Sequence, residues 1–147
     1  MARVKTIKRH IALIVDDNEP TRMLLSRILD QELGVLSVLA SSCESALSLA
    51  RMREFDVILL DLLMPGVGGF ETLKQIRNDS RNMNTPVIIL SVLDDRESVD
   101  RCMALKAHAF VTKPVNRNVV AGIVKAHLPN GLGGGRRGRW PDSDSDA

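Results

Sequence analysis

The sequence predicts an α/β fold: a doubly wound parallel sheet of five strands with helices on both faces. Three observations carry this. Short runs such as Ile11–Val15, Val57–Leu60 and Val87–Leu90 are apolar on both faces, as strands buried inside a parallel sheet must be. Segments with helical apolar spacing alternate with such runs five times. Runs one, three, four and five end in polar residues (Asp16 and Asp17, Asp61, Ser91, Lys113), and right-handed crossovers would bring those ends to one edge.

A chain of 147 residues has room for one domain with a proper core. Hydrophobic residues at 44% and charged residues at 26% exclude a disordered chain. No apolar run approaches the ~20 residues needed to span a bilayer. The N-terminus is basic (Arg3, Lys5, Lys8, Arg9), but the apolar run after it stops at Val15, too short for a secretory signal, so the expected compartment is the cytoplasm. Cys43 and Cys102 read as reduced, partly buried hydrophobes. A net charge of +2 and 3% aromatics give no basic, aromatic face for nucleic acid, and no DNA-binding domain is expected.

In chain order, the first strand is His10–Val15, and Glu19-Pro20 opens a helix because proline suits a first turn. Leu24, Leu25, Ile28 and Leu29 form its apolar face, and Gly34 ends it. Val35 to Ala40 is the second strand, and Ser41-x-x-Glu44 is a capping-box pattern for a helix with Ala46, Leu49 and Ala50 inward. The third strand covers Phe55 to Leu60. After Gly68-Gly69, Phe70, Leu73 and Ile76 mark a helix that frays into Asn78-Asp79-Ser80. Val87–Leu90 is the fourth strand, followed by a polar helix with Val99 and Met103 inward. Ala109–Val111 is a short fifth strand, and Val119, Val120, Ile123 and Val124 stripe the last helix. Residues 1–8 read as a basic extension, 9–128 as the domain, and 129–147 as a flexible, solvated tail of Gly, Arg and alternating Asp and Ser.

Three carboxylates within ~5 Å repel by roughly 3 kcal/mol per pair at an effective dielectric of ~20, so cations must offset them. Lys113 supplies one. Oxygen donors without histidine or cysteine favour Mg2+ as the other, held by Asp16, Asp17, Asp61 and the backbone carbonyl of Leu63. Such a cluster suits phosphoryl transfer, which asks mainly for positioning and charge neutralisation. Asp61 would attack and carry the acyl phosphate, while Lys113 and Ser91 bind its oxygens. Taken singly, each residue has a plainer explanation: an aspartate pair caps helices, a serine fills turns, and Lys-Pro is common in loops. Their convergence on one edge is what points to chemistry.

The segments Ile-Val-Asp16-Asp17-Asn, Leu-Leu-Asp61-Leu-Leu-Met-Pro65-Gly-x-Gly-Gly-Phe, Ile-Leu-Ser91 and Phe110-Val-Thr-Lys113-Pro114 resemble the receiver domain of bacterial two-component response regulators. The resemblance spans roughly residues 8 to 128. It implies a flavodoxin-like (βα)5 fold with strand order 2-1-3-4-5 and Asp61 as phosphoacceptor, fed from a phosphohistidine on a sensor histidine kinase or a histidine phosphotransfer protein. It also implies a cis Lys113–Pro114 bond, and a switch in which Ser91 moves to the phosphoryl group and Phe110 turns into the vacated space. The readout would be a downstream protein partner, with phosphorylation-dependent homodimerisation left open. Two residues depart from the family pattern. Val92 stands where a small residue is usual, and Lys106 where a glycine commonly ends helix four, at a cost of about 1 kcal/mol if that backbone keeps positive φ. No output domain follows, which resembles stand-alone receivers.

Three other readings are weaker. A Mg2+-dependent phosphatase wants a second carboxylate two residues after its nucleophile, but Leu63 and Asn18 fill those slots. A flavodoxin would need its phosphate where the first strand ends in carboxylates. A degenerate receiver would lack one of the acidic or lysine positions, and none is missing.

Overall fold

The computed structural model describes residues 9–129 except Val67 and Asp79; the extension at 1–8 and the tail from residue 130 lie outside the described residues. Strands β1 (Ile11–Val15), β2 (Leu36–Ala40), β3 (Val57–Asp61), β4 (Val87–Ser91) and β5 (Ala109–Thr112) form one sheet in the order β2-β1-β3-β4-β5. All neighbouring strands are parallel. Helices α1 (Glu19–Leu33), α2 (Cys43–Met52), α3 (Gly69–Asn78), α4 (Arg96–Ala104) and α5 (Arg117–His127) connect them. The flavodoxin-like doubly wound fold expected from the sequence is the fold observed.

Period-two alternation sorts the strand residues into two cores. Leu13, Ile58, Leu60 and Ile89 pack with α2 and α3 on one face. Ala12, Ile14, Leu59, Ile88 and Leu90 pack with α1 and α5 on the other. Every residue of β3 and β4 is buried, which is why those runs are apolar up to their last residues, Asp61 and Ser91. Cys43 and Cys102 are both free thiols and buried.

Several helix expectations shift in detail. The cap of α2 is Ser42, whose hydroxyl accepts from the Ser45 amide at 3.1 Å, so Ser41-x-x-Glu44 is not the capping box. Leu49 faces the core as expected but is only partly buried, and Leu47 is the buried leucine of α2. On α4, Cys102 is buried while Met103 is 44% exposed, because Leu105 and Ala107 fold back beyond the helix and fill that side of the core. Leu24 and Val119 lie at the solvent borders of their apolar stripes.

The edge where the strands begin is pinned by one amide. Asn82 is fully buried. Its oxygen accepts from the Phe55 amide (2.7 Å) and the Thr85 hydroxyl (2.9 Å), and its nitrogen donates to the Ala50 (2.8 Å) and Arg53 (2.9 Å) carbonyls. Beside it the buried Arg77 guanidinium donates to the carbonyls of Lys106, Asn82 and Met83. Lys106 does adopt positive φ, at 69°, and the two charge-assisted bonds its carbonyl accepts offset that strain. Burial lowers the Arg77 pKa to about 10, still charged at neutral pH. Replacing Asn82 by alanine removes the side-chain partner of the Phe55 amide and of the Ala50 and Arg53 carbonyls, and a loss of about 2–4 kcal/mol in urea unfolding is expected.

Candidate functional site

At the opposite edge, β1 delivers Asp16 and Asp17 and β3 delivers Asp61. One oxygen from each lies within 4.8 Å of the others. Asp16 is 1% and Asp61 5% exposed, whereas Asp17 faces solvent. Asp16 is tied down on three sides. Its Oδ1 accepts from the Asn18 amide (2.9 Å), its Oδ2 from Lys113 Nζ (2.8 Å), and its carbonyl from Arg22 Nη1 (2.7 Å). Nothing in the sequence singled out Arg22; its contact is to a backbone carbonyl and leaves no side-chain pattern.

Lys113 reaches both buried carboxylates, Asp16 Oδ2 at 2.8 Å and Asp61 Oδ2 at 3.3 Å. Its own amide donates to the Ser91 carbonyl at 2.8 Å, which joins the ends of β4 and β5. The following Lys113–Pro114 peptide bond is cis. Burial pulls the Lys113 pKa down, but the hydrogen bond to Asp16 and the charges of Asp61 and Asp16 outweigh it, and the net shift is upward. Lys113 is therefore a fixed cation at neutral pH.

Asp61 shifts upward as well. Burial is the main cause and the Asp16 charge adds to it, while the Leu63 amide bound to Asp61 Oδ1 (3.1 Å) and Lys113 hold it back. The loop after β3 is fixed by Gly69, whose amide donates to the Leu62 carbonyl at 3.1 Å. A Cβ at position 69 would lie 2.4 Å from Leu62 Cα and 2.9 Å from the Asp61 carbonyl oxygen, so only glycine lets α3 start this close to the acidic strand end.

Ser91 is fully buried, one step beyond the level at which Leu90 pairs with Asp61, and its hydroxyl accepts from the Leu93 amide at 3.1 Å. Phe110 pairs with Ile89 two residues below, on the same sheet face as Ser91, and packs half-buried against the α2–α3 core. Val92 is 61% exposed and points away from the core. The edge thus gathers Asp16, Asp17, Asp61 and Lys113, with Ser91 and Leu63 beside them and Phe110 deeper.

Three carboxylates against one ammonium leave an excess of negative charge in a pocket whose donors are all oxygen and which opens to solvent at Asp17. That donor set fits a small, hard divalent cation and not one that prefers nitrogen or sulfur.

The family model for the response regulator receiver domain matches residues 12–125. The chain belongs to that family. It is 34% identical over 116 residues to the sensory/regulatory protein RpfC of Xanthomonas campestris, covering 78% of this chain but 15% of that protein. It is 31% identical over 118 residues to protein PilH of Pseudomonas aeruginosa, covering 79% of this chain and 95% of PilH. Among solved structures, the chemotaxis protein CheY4 of Vibrio cholerae superimposes with a TM-score of 0.77 at 30% identity, over 82% of this chain and all of CheY4. The chain thus spans a small part of some relatives and nearly the whole of others.

The upward shift of Asp61 has a measurable consequence. Its folded pKa lies above the unfolded one, so the stability it contributes is present in acid and is lost as pH rises through the folded value. Asparagine carries no charge at any pH. In metal-free buffer Asp61→Asn is therefore expected to stabilise the fold near neutrality, by about 1–4 kcal/mol, the range for one charge pair ~4 Å apart between water and a protein surface. The advantage shrinks as pH falls through the folded pKa, and urea unfolding across the acid-to-neutral range checks it.

Proposed function

We propose that residues 9–128 act as a cytoplasmic receiver that takes a phosphoryl group on Asp61 and signals by a conformational change, with residues 1–8 and 129–147 as appendages. The observation that carries this reading is Lys113 Nζ held between Asp16 Oδ2 and Asp61 Oδ2, with the Asp17 carboxylate in the same cluster. The donor is a phosphohistidine on a sensor histidine kinase or a histidine phosphotransfer protein. An Asp61 carboxylate oxygen attacks phosphorus, the O–P bond forms, and the P–N bond to histidine breaks. The imidazole leaves with its electron pair and takes up a proton from solvent.

The chain's own groups divide the work. Asp61 is buried and aligned at both oxygens, Oδ1 by the Leu63 amide and Oδ2 by Lys113 Nζ. Lys113 neutralises charge that builds on the transferred group. Ser91 gives up its bond from the Leu93 amide and donates its hydroxyl to a phosphoryl oxygen. Asp16, Asp17, Asp61 and the Leu63 carbonyl are the candidate holders of Mg2+, which would supply further neutralisation of phosphoryl oxygens when bound.

Movement of Ser91 opens space on the sheet face it shares with Phe110, and the half-buried ring turns toward it. One group at Asp61 thereby biases two packings a few kcal/mol apart. The changed surface is read by a downstream protein or by a second copy of the chain. A ring without a hydroxyl has no polar partner to find when it turns outward, so its exposed state is the less sharply defined one.

Mg2+ with beryllofluoride, which mimics an acyl phosphate, should shift the amide resonances of Ser91 and Phe110. Asp61→Asn should abolish that response and all labelling by acetyl phosphate; label retained on the variant would remove Asp61 from the role. Asp17→Asn should weaken Mg2+ binding, followed by calorimetry, by roughly 10-fold or more, the loss of about one charge-assisted contact. Turnover should be confined to the protein's own phosphate. Steady hydrolysis of added phosphate esters would favour the phosphatase reading.

A further inference from the structure

A groove separates α3 from α4 on the face of the sheet away from α1 and α5. Its upper part, about 810 Å³, begins at the loop after β3 with Leu63 and Met64 and runs between Phe70, Lys74 and Arg101. Its lower part, about 270 Å³, continues between Lys74, Met83, Leu105 and Lys106. Leu63 and Met83, at the two ends, are 48% and 52% exposed. The charge along it is one-sided. Arg101 lies over the Phe70 ring at 3.9 Å, and Arg101, Lys74 and Lys106 form no ion pair among the described residues. Among the described residues, Glu71 is the one carboxylate lining either part. The groove therefore has an apolar upper part, while its lower part sets Met83, Ala104 and Leu105 among polar side chains, and three exposed cations run along the whole, a surface that suits an aromatic residue followed by acidic ones.

The chain carries such a segment. Trp140-Pro-Asp142-Ser-Asp144-Ser-Asp146 places three carboxylates after the sole tryptophan. It also leaves the fold close to the groove. α5 ends at His127, whose ring packs edge-on against His108 with centroids 5.9 Å apart. His108 in turn lies 3.3 Å from Arg77, which lines the lower part. From Pro129 to Trp140 the backbone spans at most ~36 Å, and ~17–20 Å as a random coil, against a domain radius of gyration near ~14 Å. Reach is not limiting. Tethering at this length also places the segment at a millimolar-scale effective concentration, so weak contacts suffice.

We propose that residues 140–146 dock in the α3–α4 groove, with Trp140 in the lower part between Met83 and Leu105 and the aspartates running upward past Lys74 to Arg101. In that direction the basic run Arg136, Arg137 and Arg139 stays outside the groove, away from its like charges. The docked segment ends beside Leu63 and Met64, on the loop that carries the acidic site. This assignment does not depend on the phosphoacceptor reading and stands or falls separately from it.

The chain has one tryptophan and no tyrosine, so the intrinsic emission of the full 147-residue protein reports Trp140 alone. Emission blue-shifted from that of a synthetic 129–147 peptide, with reduced acrylamide quenching and no dependence on protein concentration, is the expected result. Lys74→Glu/Lys106→Glu, with its circular dichroism unchanged, should return the emission to that of the peptide, and so should raised salt in part. Truncation after Pro129 should move the amide resonances of Lys74, Met83 and Leu105 and leave those of α1 in place. Emission equal to the peptide's overturns the proposal. A blue shift that survives the charge reversal places Trp140 elsewhere and overturns it too. A blue shift that grows with concentration assigns the groove to a second copy of the chain.

Discussion

One ammonium group between two buried carboxylates governs this molecule. Lys113 reaches Asp16 and Asp61 from strand β5, across the intervening β4, and without it the ends of β1 and β3 would be pushed apart by their own charge. The pairing draws together strands that are not neighbours. It does not neutralise the edge: Asp17 remains over, exposed and unpaired among the described residues. That uncompensated charge leaves the pocket a donor set suited to a hard cation.

The two ends of the sheet are built on different principles. Where strands finish, side chains hold one another through charges that depend on protonation and ligands. Where strands begin, Asn82 and Arg77 hold backbone carbonyls through bonds indifferent to either. An edge intended to respond and an edge intended to stay put are thereby joined by fully buried strands β3 and β4. Such strands are close-packed and transmit a displacement instead of absorbing it.

Much of this was legible in the amino-acid sequence because it rests on periodicity and on strand ends. Runs apolar on both faces marked β1, β3 and β4, and topology then brought Asp16, Asp17, Asp61, Ser91 and Lys113 to one edge. Less legible was anything depending on phase or on long-range bonds to backbone. Ser41 and Ser42 are chemically equivalent as caps, and only the length of the turn after β2 selects Ser42. Met103 and Cys102 both fall near the inner face of α4, and the returning chain at Leu105 and Ala107 decides between them. Arg77 and Asn82 serve carbonyls and amides of segments distant in sequence, Arg22 serves the nearby Asp16 carbonyl, and no spacing rule announces any of them. Lys106 is the instructive case. Its sequence raised the question of a left-handed residue, and the answer lay 29 positions away in Arg77.

Gly69 has a consequence for the architecture as a whole. Because its missing side chain lets α3 begin in contact with the backbone of Leu62, the start of α3 and the end of β3 meet without any intervening layer of side chains. Rearrangement of the β3–α3 loop is then conveyed to α3 as a rigid lever, with no soft packing to damp it. Leu62 and Gly69 also line the α3–α4 groove, so whatever occupies that cleft rests on the backbone next to Asp61.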